Sequence, residues 1–321
     1  MNEGKERILV TGATGRLGSA LVRRLLKKGF KVRALSRDKM RCAELFGKKC
    51  DAVQLDLAKA HVNELFEACF GCAAVVHLAA LLDGTTRQLM ETNFEATKKL
   101  VQAARKAGVK RFVYCSSTAV YGNPRGEVAE ESAKNPVNTY GKSKLLAEEA
   151  VKAGGVPWII IRPSVIYGPG FATGFKEVIK MAEKGRLPLI GTGRNRVALV
   201  HVDDVVEALL LAVSKKSAEN RDFNVSGPPV TQEKCVSLLA GAVSPAPRIT
   251  KIPKAAAYLA AGAMELFARA RGKRKQWREF ARVLGEDRVF PAKKAERMLG
   301  WKPRRVFEKE APKILQGVSR Q

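Results

Sequence analysis

The sequence predicts an α/β fold: a doubly wound parallel sheet followed by a smaller, mostly helical C-terminal lobe. Two observations carry this prediction. Short apolar runs alternate with amphipathic stretches through the first half of the chain. After Pro163 this alternation becomes irregular and loop-forming glycines appear. Strands that alternate with helices pair in parallel, and the helices then cover both faces of the sheet.

Six short apolar runs predict the strands of this sheet. In chain order they lie at residues 8–10, 31–35, 52–55, 73–77, 111–115 and 158–161. Helical patterns separate most of these runs, notably at residues 92–106 and 140–152. After Pro163, glycines at 168, 170, 191 and 193 mark loops, and a further short strand is predicted at residues 223–225.

The charge of the chain is unusual, whereas its hydrophobic fraction of 46% is ordinary. A formal net charge of +27 over 321 residues attracts anions such as phosphorylated cofactors, nucleic acid or an acidic membrane surface. A solvated basic surface is the alternative reading.

Of the six cysteines, only Cys69 and Cys72 have metal-type spacing. No second pair or histidine cluster completes a site, so no metal is predicted. The polar residues 1–7 predict no signal peptide. No run of about twenty apolar residues predicts a membrane span. A cytoplasmic location is therefore expected.

A glycine loop follows the first predicted strand and opens the first helix, with glycines at 12, 15 and 18. Such glycines permit a tight turn, close approach of the backbone to a pyrophosphate and tight helix packing. The N–H groups at the start of the helix then bind the anion. We therefore predict a dinucleotide site; the alternative is a structural turn.

The end of the second strand usually decides which dinucleotide binds, since an acid there holds the adenosine ribose and favours NAD. Here the strand ends in Ser36-Arg37, which could hold a 2′-phosphate, and Arg16 could add a second positive charge. NADP is therefore favoured, and the nearby Asp38 keeps NAD as the alternative. Asp56, just past the third strand, is placed to hydrogen-bond adenine.

Tyr140 and Lys144 lie four residues apart, so they share one helix face. A tyrosine has a pKa near 10, and a nearby lysine cation favours its phenolate, which makes it a usable proton acceptor or donor. Ser117 ends the fifth strand, where active-site residues of open sheets collect, and its hydroxyl can hold a substrate oxygen. Together these residues predict redox chemistry at an alcohol or a ketone.

Several motifs in the expected order resemble the extended short-chain dehydrogenase/reductase family over nearly all of the chain. They are the glycine loop, Asp56-Leu57, His77-Leu78-Ala79-Ala80, Asn93, Ser116-Ser117, Tyr140 with Lys144, Arg162-Pro163 and His201-Val202-Asp203-Asp204.

This resemblance implies roles for individual residues. Ser117, Tyr140 and Lys144 would form the catalytic triad, with Lys144 also on the nicotinamide ribose. His77 and His201 would be structural. The predicted cofactor-binding residues are Gly12, Thr14, Gly15, Arg16, Leu17, Gly18, Ser36, Arg37, Asp56, Leu57, Leu78, Ala79, Ala80, Tyr140, Lys144, Pro163 and Val165.

The predicted division places a dinucleotide-binding Rossmann domain at residues 1–162 plus about 196–220. The substrate-binding lobe would comprise about 163–195 plus 221–321.

Two branches of the family compete for the function. Nucleotide-sugar epimerases and dehydratases often carry an asparagine where this chain has Val165, and an Arg-Asp-aromatic run where this chain has a displaced Arg196 with no aspartate after it. The chain is more similar to 3β-hydroxysteroid dehydrogenase-like and dihydroflavonol-reductase-like enzymes, through residues 162–170 and 252–261. This branch implies a less polar substrate.

The C-terminal segment, residues 248–321, is strongly basic, with 20 Lys and Arg against 7 Asp and Glu. Its alanine-rich apolar stretch leads into a cluster of cations at 269–278. A helix pair with a buried apolar face is one interpretation, and peripheral contact with an anionic membrane is another. A non-catalytic membrane- or RNA-binding protein on this fold is the remaining alternative, although no nucleic-acid motif with interleaved aromatics is present. The family resemblance is also consistent with a homodimer.

Overall fold

The computed structural model describes residues 6–171, 178, 180–241, 243–271 and 277–311, without the side chains of 269, 279 and 280. The strands of this part are β1 (Arg7–Thr11), β2 (Lys31–Ser36), β3 (Asp51–Gln54), β4 (Ala74–His77), β5 (Arg111–Cys115), β6 (Gly126–Glu127), β7 (Trp158–Pro163), β8 (Val165–Tyr167), β9 (Arg186–Ile190), β10 (Arg196–Val197), β11 (Leu199–His201), β12 (Arg221–Val225), β13 (Val230–Thr231), β14 (Arg248–Ile252) and β15 (Arg288–Val289).

The α-helices of the same residues are α1 (Arg16–Lys27), α2 (Lys39–Phe46), α3 (Val62–Cys69), α4 (Thr86–Leu89), α5 (Ala96–Lys106), α6 (Thr139–Ala153), α7 (Val202–Ser214), α8 (Gln232–Ala240), α9 (Lys254–Ala270), α10 (Trp277–Gly285) and α11 (Lys293–Leu299). A π-helical turn, Met90–Glu95, joins α4 to α5, and a 3₁₀ turn, Thr118–Tyr121, follows β5.

The central sheet has seven parallel strands in the order β3-β2-β1-β4-β5-β7-β12. The chain winds outward from β1 in one direction and then returns to wind outward from β4 in the other. The carboxyl ends of β1 and β4 therefore form a topological switch point, the place where open α/β sheets bind ligands.

Both faces of the sheet are buried, which explains why the strands are nearly continuous apolar runs. Val10, Val76 and Val113 face one core, which includes α1 and α7, whereas their neighbours Leu9 and Val75 face a second core beneath α3, α5 and α6. The predicted doubly wound α/β fold is confirmed.

The rest of the chain builds small two-stranded sheets and helices around a separate core. β8 pairs with β11, β9 with β14, and β10 with β13. The buried side chains of this core include Tyr167, Leu187, Leu189, Val197 and Leu199.

The sequence-based boundary at residue 220 was wrong for one element. Arg221–Val225 pairs in parallel with β7 as the edge strand of the central sheet, because Phe223 and Val225 belong to the core of that sheet. The rest of the division into two lobes stays a prediction.

No helix in the described ranges combines the length and the apolar character needed to cross a membrane. Within the same ranges, no group of three or more His, Cys, Asp and Glu side chains is arranged to hold a metal ion. All six cysteines are free thiols, and five of them are buried.

Candidate active site

The glycine loop lies against the chain that leaves β4. Gly12 has a φ of +65°, and a Cβ placed on it would lie 2.8 Å from the Ala79 amide nitrogen. A Cβ on Gly18 would collide with the Gly12 carbonyl oxygen. Because helix α1 starts at Arg16 with no side chain capping it, its first N–H groups remain available to an anion. This cradle fits the pyrophosphate of a dinucleotide.

A buried hydrogen-bond chain holds the two sides of the switch point together. The Thr11 hydroxyl contacts His77 Nδ1 at 2.6 Å and accepts the N–H groups of Leu78 and Ala79 at 3.2 Å each. His77 Nε2 lies 2.8 Å from the Thr97 hydroxyl. Burial lowers the pKa of His77 to about 3, so this ring is neutral and acts as a structural link.

At the end of β2, Ser36 is buried and its hydroxyl lies 2.9 Å from that of Thr14 in the glycine loop. Arg37 is exposed and borders a cavity of about 430 Å³ that is also lined by Asp56 and Lys59. Asp38 is engaged elsewhere, because its carboxylate caps α2 by accepting the Arg41 N–H at 2.9 Å. The end of β2 thus presents the Arg37 cation to the cavity, whereas the nearest acid, Asp38, serves as the N-cap of α2.

The three predicted catalytic residues meet at the carboxyl end of β5. Ser117 follows β5 and accepts the Ala119 N–H at 3.1 Å, which fixes its side chain while leaving it partly exposed. Tyr140 lies in the first turn of α6, which Asn138 caps by accepting the Gly141 N–H at 2.7 Å. The Ser117 hydroxyl faces the Tyr140 phenol closely enough to lower the pKa of that phenol.

Lys144 is directed into the protein. Its Nζ donates to the Cys115 carbonyl oxygen at 2.6 Å and lies 4.2 Å from the centre of the Tyr114 ring. Burial lowers the pKa of Lys144 to about 8, against the opposing effects of Cys115 and Glu148.

The electrostatics of Tyr140 differ from the sequence-based expectation. Burial raises the pKa of Tyr140 above its ordinary value, the Cys115 thiol raises it further, and the hydrogen bond with Ser117 lowers it. The expectation that Lys144 makes the phenol more acidic is not met here, because desolvation of the phenolate dominates. The phenol therefore keeps its proton at neutral pH.

Two buried contacts fix α6 against its surroundings. Asn93, in the π-helical turn, donates to Ser143 Oγ at 3.0 Å and exchanges two hydrogen bonds with the Leu81 backbone at 2.7 and 2.9 Å. Ser143 Oγ in turn donates to the Tyr140 carbonyl oxygen at 2.8 Å. The turn that carries Tyr140 is thereby linked to the loop that contacts Gly12.

The second contact is an ionic network centred on Arg162, which is fully buried. Its guanidinium binds both carboxylate oxygens of Glu148 on α6, at 2.8 and 2.7 Å, and one oxygen of Asp222 on β12 at 2.6 Å. It also donates to the Tyr121 hydroxyl, which bonds Asn224 at 2.8 Å. This network joins the helix of Tyr140 and Lys144 to the edge of the sheet.

The chain matches the model of the NAD-dependent epimerase/dehydratase family over residues 8–226. It belongs to this family. The resemblance to extended short-chain dehydrogenases/reductases is thereby confirmed, and the family is one of enzymes.

Similar proteins of this family carry different activities in their names. A dihydroflavonol 4-reductase of Synechocystis, itself named putative, is 35% identical over 63% of this chain and 62% of its own length. The 4-hydroxy-2-methyl-3-oxo-4-farnesyl-3,4-dihydroquinoline-1-oxide ketoreductase of Stigmatella aurantiaca is 28% identical over 92% of this chain and 91% of its own. The UDP-glucose 4-epimerase of Vibrio cholerae is 29% identical over 68% of this chain and 70% of its own.

Among solved structures, MoeE5 in complex with UDP-glucose and NAD superposes with a TM-score of 0.77 at 25% identity. The match covers 98% of this chain and 99% of MoeE5. The chain thus spans less than two thirds of the dihydroflavonol reductase but nearly the whole of the ketoreductase and of MoeE5.

Apart from Tyr140 and Lys144, which lie on α6, the predicted cofactor-binding residues of this family member lie at or just beyond the carboxyl ends of parallel strands. Gly12, Thr14, Gly15, Arg16, Leu17 and Gly18 follow β1; Ser36 and Arg37 end β2; Asp56 and Leu57 follow β3; Leu78, Ala79 and Ala80 follow β4; and Pro163 and Val165 lie at the junction of β7 and β8.

Sequence reasoning missed two polar residues at this edge. The hydroxyls of Ser116 and Ser164 are buried, and neither has a hydrogen-bond partner within the described residues. Their position directly after the ends of β5 and β7 is the signal that could have identified them, since both stand next to predicted site residues. They are candidates for polar contacts with a bound molecule.

Proposed function

We propose that the chain is an NADP-preferring oxidoreductase that reduces a ketone to a secondary alcohol, and catalyses the reverse oxidation. The observation that carries the proposal is the convergence of Ser117, Tyr140 and Lys144 at the carboxyl end of β5, beside the glycine cradle. When bound, the nicotinamide supplies or accepts the hydride. Ser117 holds the substrate oxygen, and Tyr140 gives that oxygen its proton.

The protonation state of Tyr140 supports a role as the general acid of the reduction. Tyr140 is half-buried, and the raised pKa of its phenol keeps it protonated at neutral pH, as a general acid requires. Lys144, with a pKa of about 8, is mostly protonated at pH 7 and supplies positive charge beneath the site. As pH rises through about 8 this charge is lost, so Lys144 serves the reaction best at neutral pH.

The substrate side of the site supports a less polar substrate than a nucleotide sugar. Val165 presents an apolar, partly exposed side chain where nucleotide-sugar enzymes often carry an asparagine. Arg196 is engaged by Asp287, whose carboxylate accepts from its guanidinium at 3.0 and 2.7 Å. The ketoreductase is a precedent in the same family for a ketone substrate with an apolar substituent.

The alternative function is nucleotide-sugar epimerisation, which uses the same three residues. The likeness to MoeE5 with UDP-glucose and NAD, and to a UDP-glucose 4-epimerase, favours it. Net consumption of cofactor separates the two functions. A reductase consumes one reduced cofactor for each product molecule, whereas an epimerase returns the hydride and consumes none.

The preference for NADP rests on the end of β2. The exposed Arg37 borders the cavity beside Asp56, and Asp38 is occupied as the cap of α2. NAD is the cofactor present in MoeE5 and stays the alternative.

Replacing Arg37 by alanine is expected to raise the dissociation constant for NADP by roughly 10- to 100-fold, the effect of losing one charge-assisted hydrogen bond. NAD affinity should be unchanged. Arg41→Ala is the matched control, because Arg41 is also an exposed arginine and is paired with Glu44 on α2. Fluorescence titration of both variants with both cofactors checks this prediction. Equal loss of NADP affinity in the two variants would show that only the overall charge matters.

A cytoplasmic location and a homodimer stay predictions.

A further inference from the structure

Helix α9 carries an apolar face that points away from the protein. At 100° per residue, the exposed residues of this helix after Lys254 occupy one half of its circumference. They are Ala255, Ala256, Leu259, Ala260, Ala263, Met264, Leu266, Phe267 and Ala270, called here the α9 face. Leu259 is 76% exposed, Leu266 71% and Phe267 59%. Every residue of the α9 face is apolar, which is unusual for a surface helix, whose outer side is normally polar.

The opposite side of α9 is fastened to the protein. Ala261 packs with Ile190 and Ala281 in a small buried core to which Tyr258 and Trp277 contribute. The Tyr258 hydroxyl donates to Glu286 at 2.7 Å. The α9 face is therefore not the inner side of the helix but a second apolar surface on a rigidly held element.

Cations surround the α9 face, and the nearby acids are shielded. Arg271 lies with its guanidinium 4.0 Å from the centre of the Phe267 ring. Lys251 and Lys254 are exposed at the other end of the helix. Glu265 is only 15% exposed and pairs with Arg278. Lys254 pairs with Glu286 at 3.3 Å, so Lys251, Lys254, Arg271 and Arg278 outnumber Glu265 and Glu286 around the α9 face. The surface therefore combines large apolar side chains with an excess of cationic over acidic ones.

The sequence-based cation cluster extends into Lys273, Arg274 and Lys275, which lie outside the described residues.

We propose that the α9 face inserts into the surface of an anionic lipid membrane, with the helix lying in the plane of the interface. The helix of 17 residues is about 25 Å long, and it is not a spanning segment. An interfacial helix buries its apolar side by about 5–10 Å, while flanking Lys and Arg contact acidic headgroups. Like charges disfavour a second copy as the occupant, because two chains of net charge +27 would bring their cations together.

The test is flotation of the full-length protein with vesicles of equal parts phosphatidylcholine and phosphatidylglycerol, and with vesicles of phosphatidylcholine alone. The variant is Leu259→Glu with Phe267→Glu. The matched control is Met40→Glu with Phe70→Glu, which replaces two side chains that are 78% and 60% exposed away from α9 and adds the same charge. Equal thermal midpoints by circular dichroism show that both variants fold.

We expect the wild type and the control to bind the anionic vesicles, and the α9 variant to lose on the order of 100-fold in partitioning, since each large apolar side chain contributes about tenfold or more. Equal binding by both variants would overturn the proposal, because charge alone would then explain it. The proposal also fails if the wild type does not bind vesicles and sediments as a dimer, whereas the α9 variant sediments as a monomer. Binding is measured without substrate or cofactor, so it does not depend on the proposed function.

Discussion

Replacing Tyr140 by phenylalanine is expected to lower turnover by roughly 10²- to 10⁴-fold, the usual contribution of a positioned general acid. The variant keeps the aromatic ring in the first turn of α6 and removes only the phenol hydroxyl. The glycine cradle around Gly12 is untouched, so cofactor affinity should be nearly unchanged. Steady-state kinetics and a cofactor titration on the same preparation measure both quantities.

Tyr258→Phe is the matched control for this loss. It also removes a partly buried tyrosine hydroxyl, which donates to Glu286. Because this hydroxyl belongs to the C-terminal lobe, turnover should be unchanged. Normal turnover in the Tyr140 variant would exclude Tyr140 as the proton donor. Loss of cofactor binding along with turnover would mean that the substitution disturbs the cofactor site and does not remove only the proton donor.

Replacing Arg162 by leucine is expected to lower the free energy of unfolding by about 3–5 kcal/mol, because removing one partner leaves buried charge uncompensated. Glu148 is 1% exposed and Asp222 14%, and both bind the same guanidinium. The Tyr121 hydroxyl would lose the donor that lies 2.8 Å away. Urea denaturation followed by circular dichroism gives the free energy directly.

The control for this second variant is Arg24→Leu, which breaks an ion pair with Glu207 at 3.3 Å. That pair is partly exposed, with Arg24 at 44%, so its loss should cost about 0–1 kcal/mol. A similar, small loss in both variants would contradict the view that the Arg162 network fastens α6 to the sheet.

Local patterns were sufficient to predict the sheet and the glycine loop. Five of the six predicted strands are mostly buried runs, and the third, at the edge of the sheet, is partly buried. Gly12 and Gly18 occupy positions where a Cβ would strike backbone atoms. The grouping of Tyr140 and Ser117 was also predictable, because Ser117 follows the carboxyl end of β5 and Tyr140 lies in the first turn of a predicted helix with Lys144 one turn later.

Contacts between distant residues could not be predicted in this way. Glu148 and Asp222 lie 14 and 60 residues from Arg162, and nothing in the sequence around them indicates that they meet. Burial reversed the expected effect on the pKa of Tyr140, since the depth of a side chain depends on how whole elements pack.

The same limit applies to α9 and to β12. The alanine-rich stretch was recognisable as an apolar helix, but which half of it faces solvent depends on its packing against α10. β12 begins at Arg221, one residue past the predicted boundary, and it joins the central sheet through pairing with β7.

The most direct test of the central claim is the stoichiometry of cofactor use. The protein is incubated with NADPH and a panel of apolar ketones, and in parallel with UDP-glucose and NAD, while nicotinamide absorbance and products are measured together. We predict that one NADPH is oxidised for each alcohol formed, and that Tyr140→Phe abolishes the change. Conversion of UDP-glucose to its epimer with no net change in nicotinamide absorbance would contradict the account.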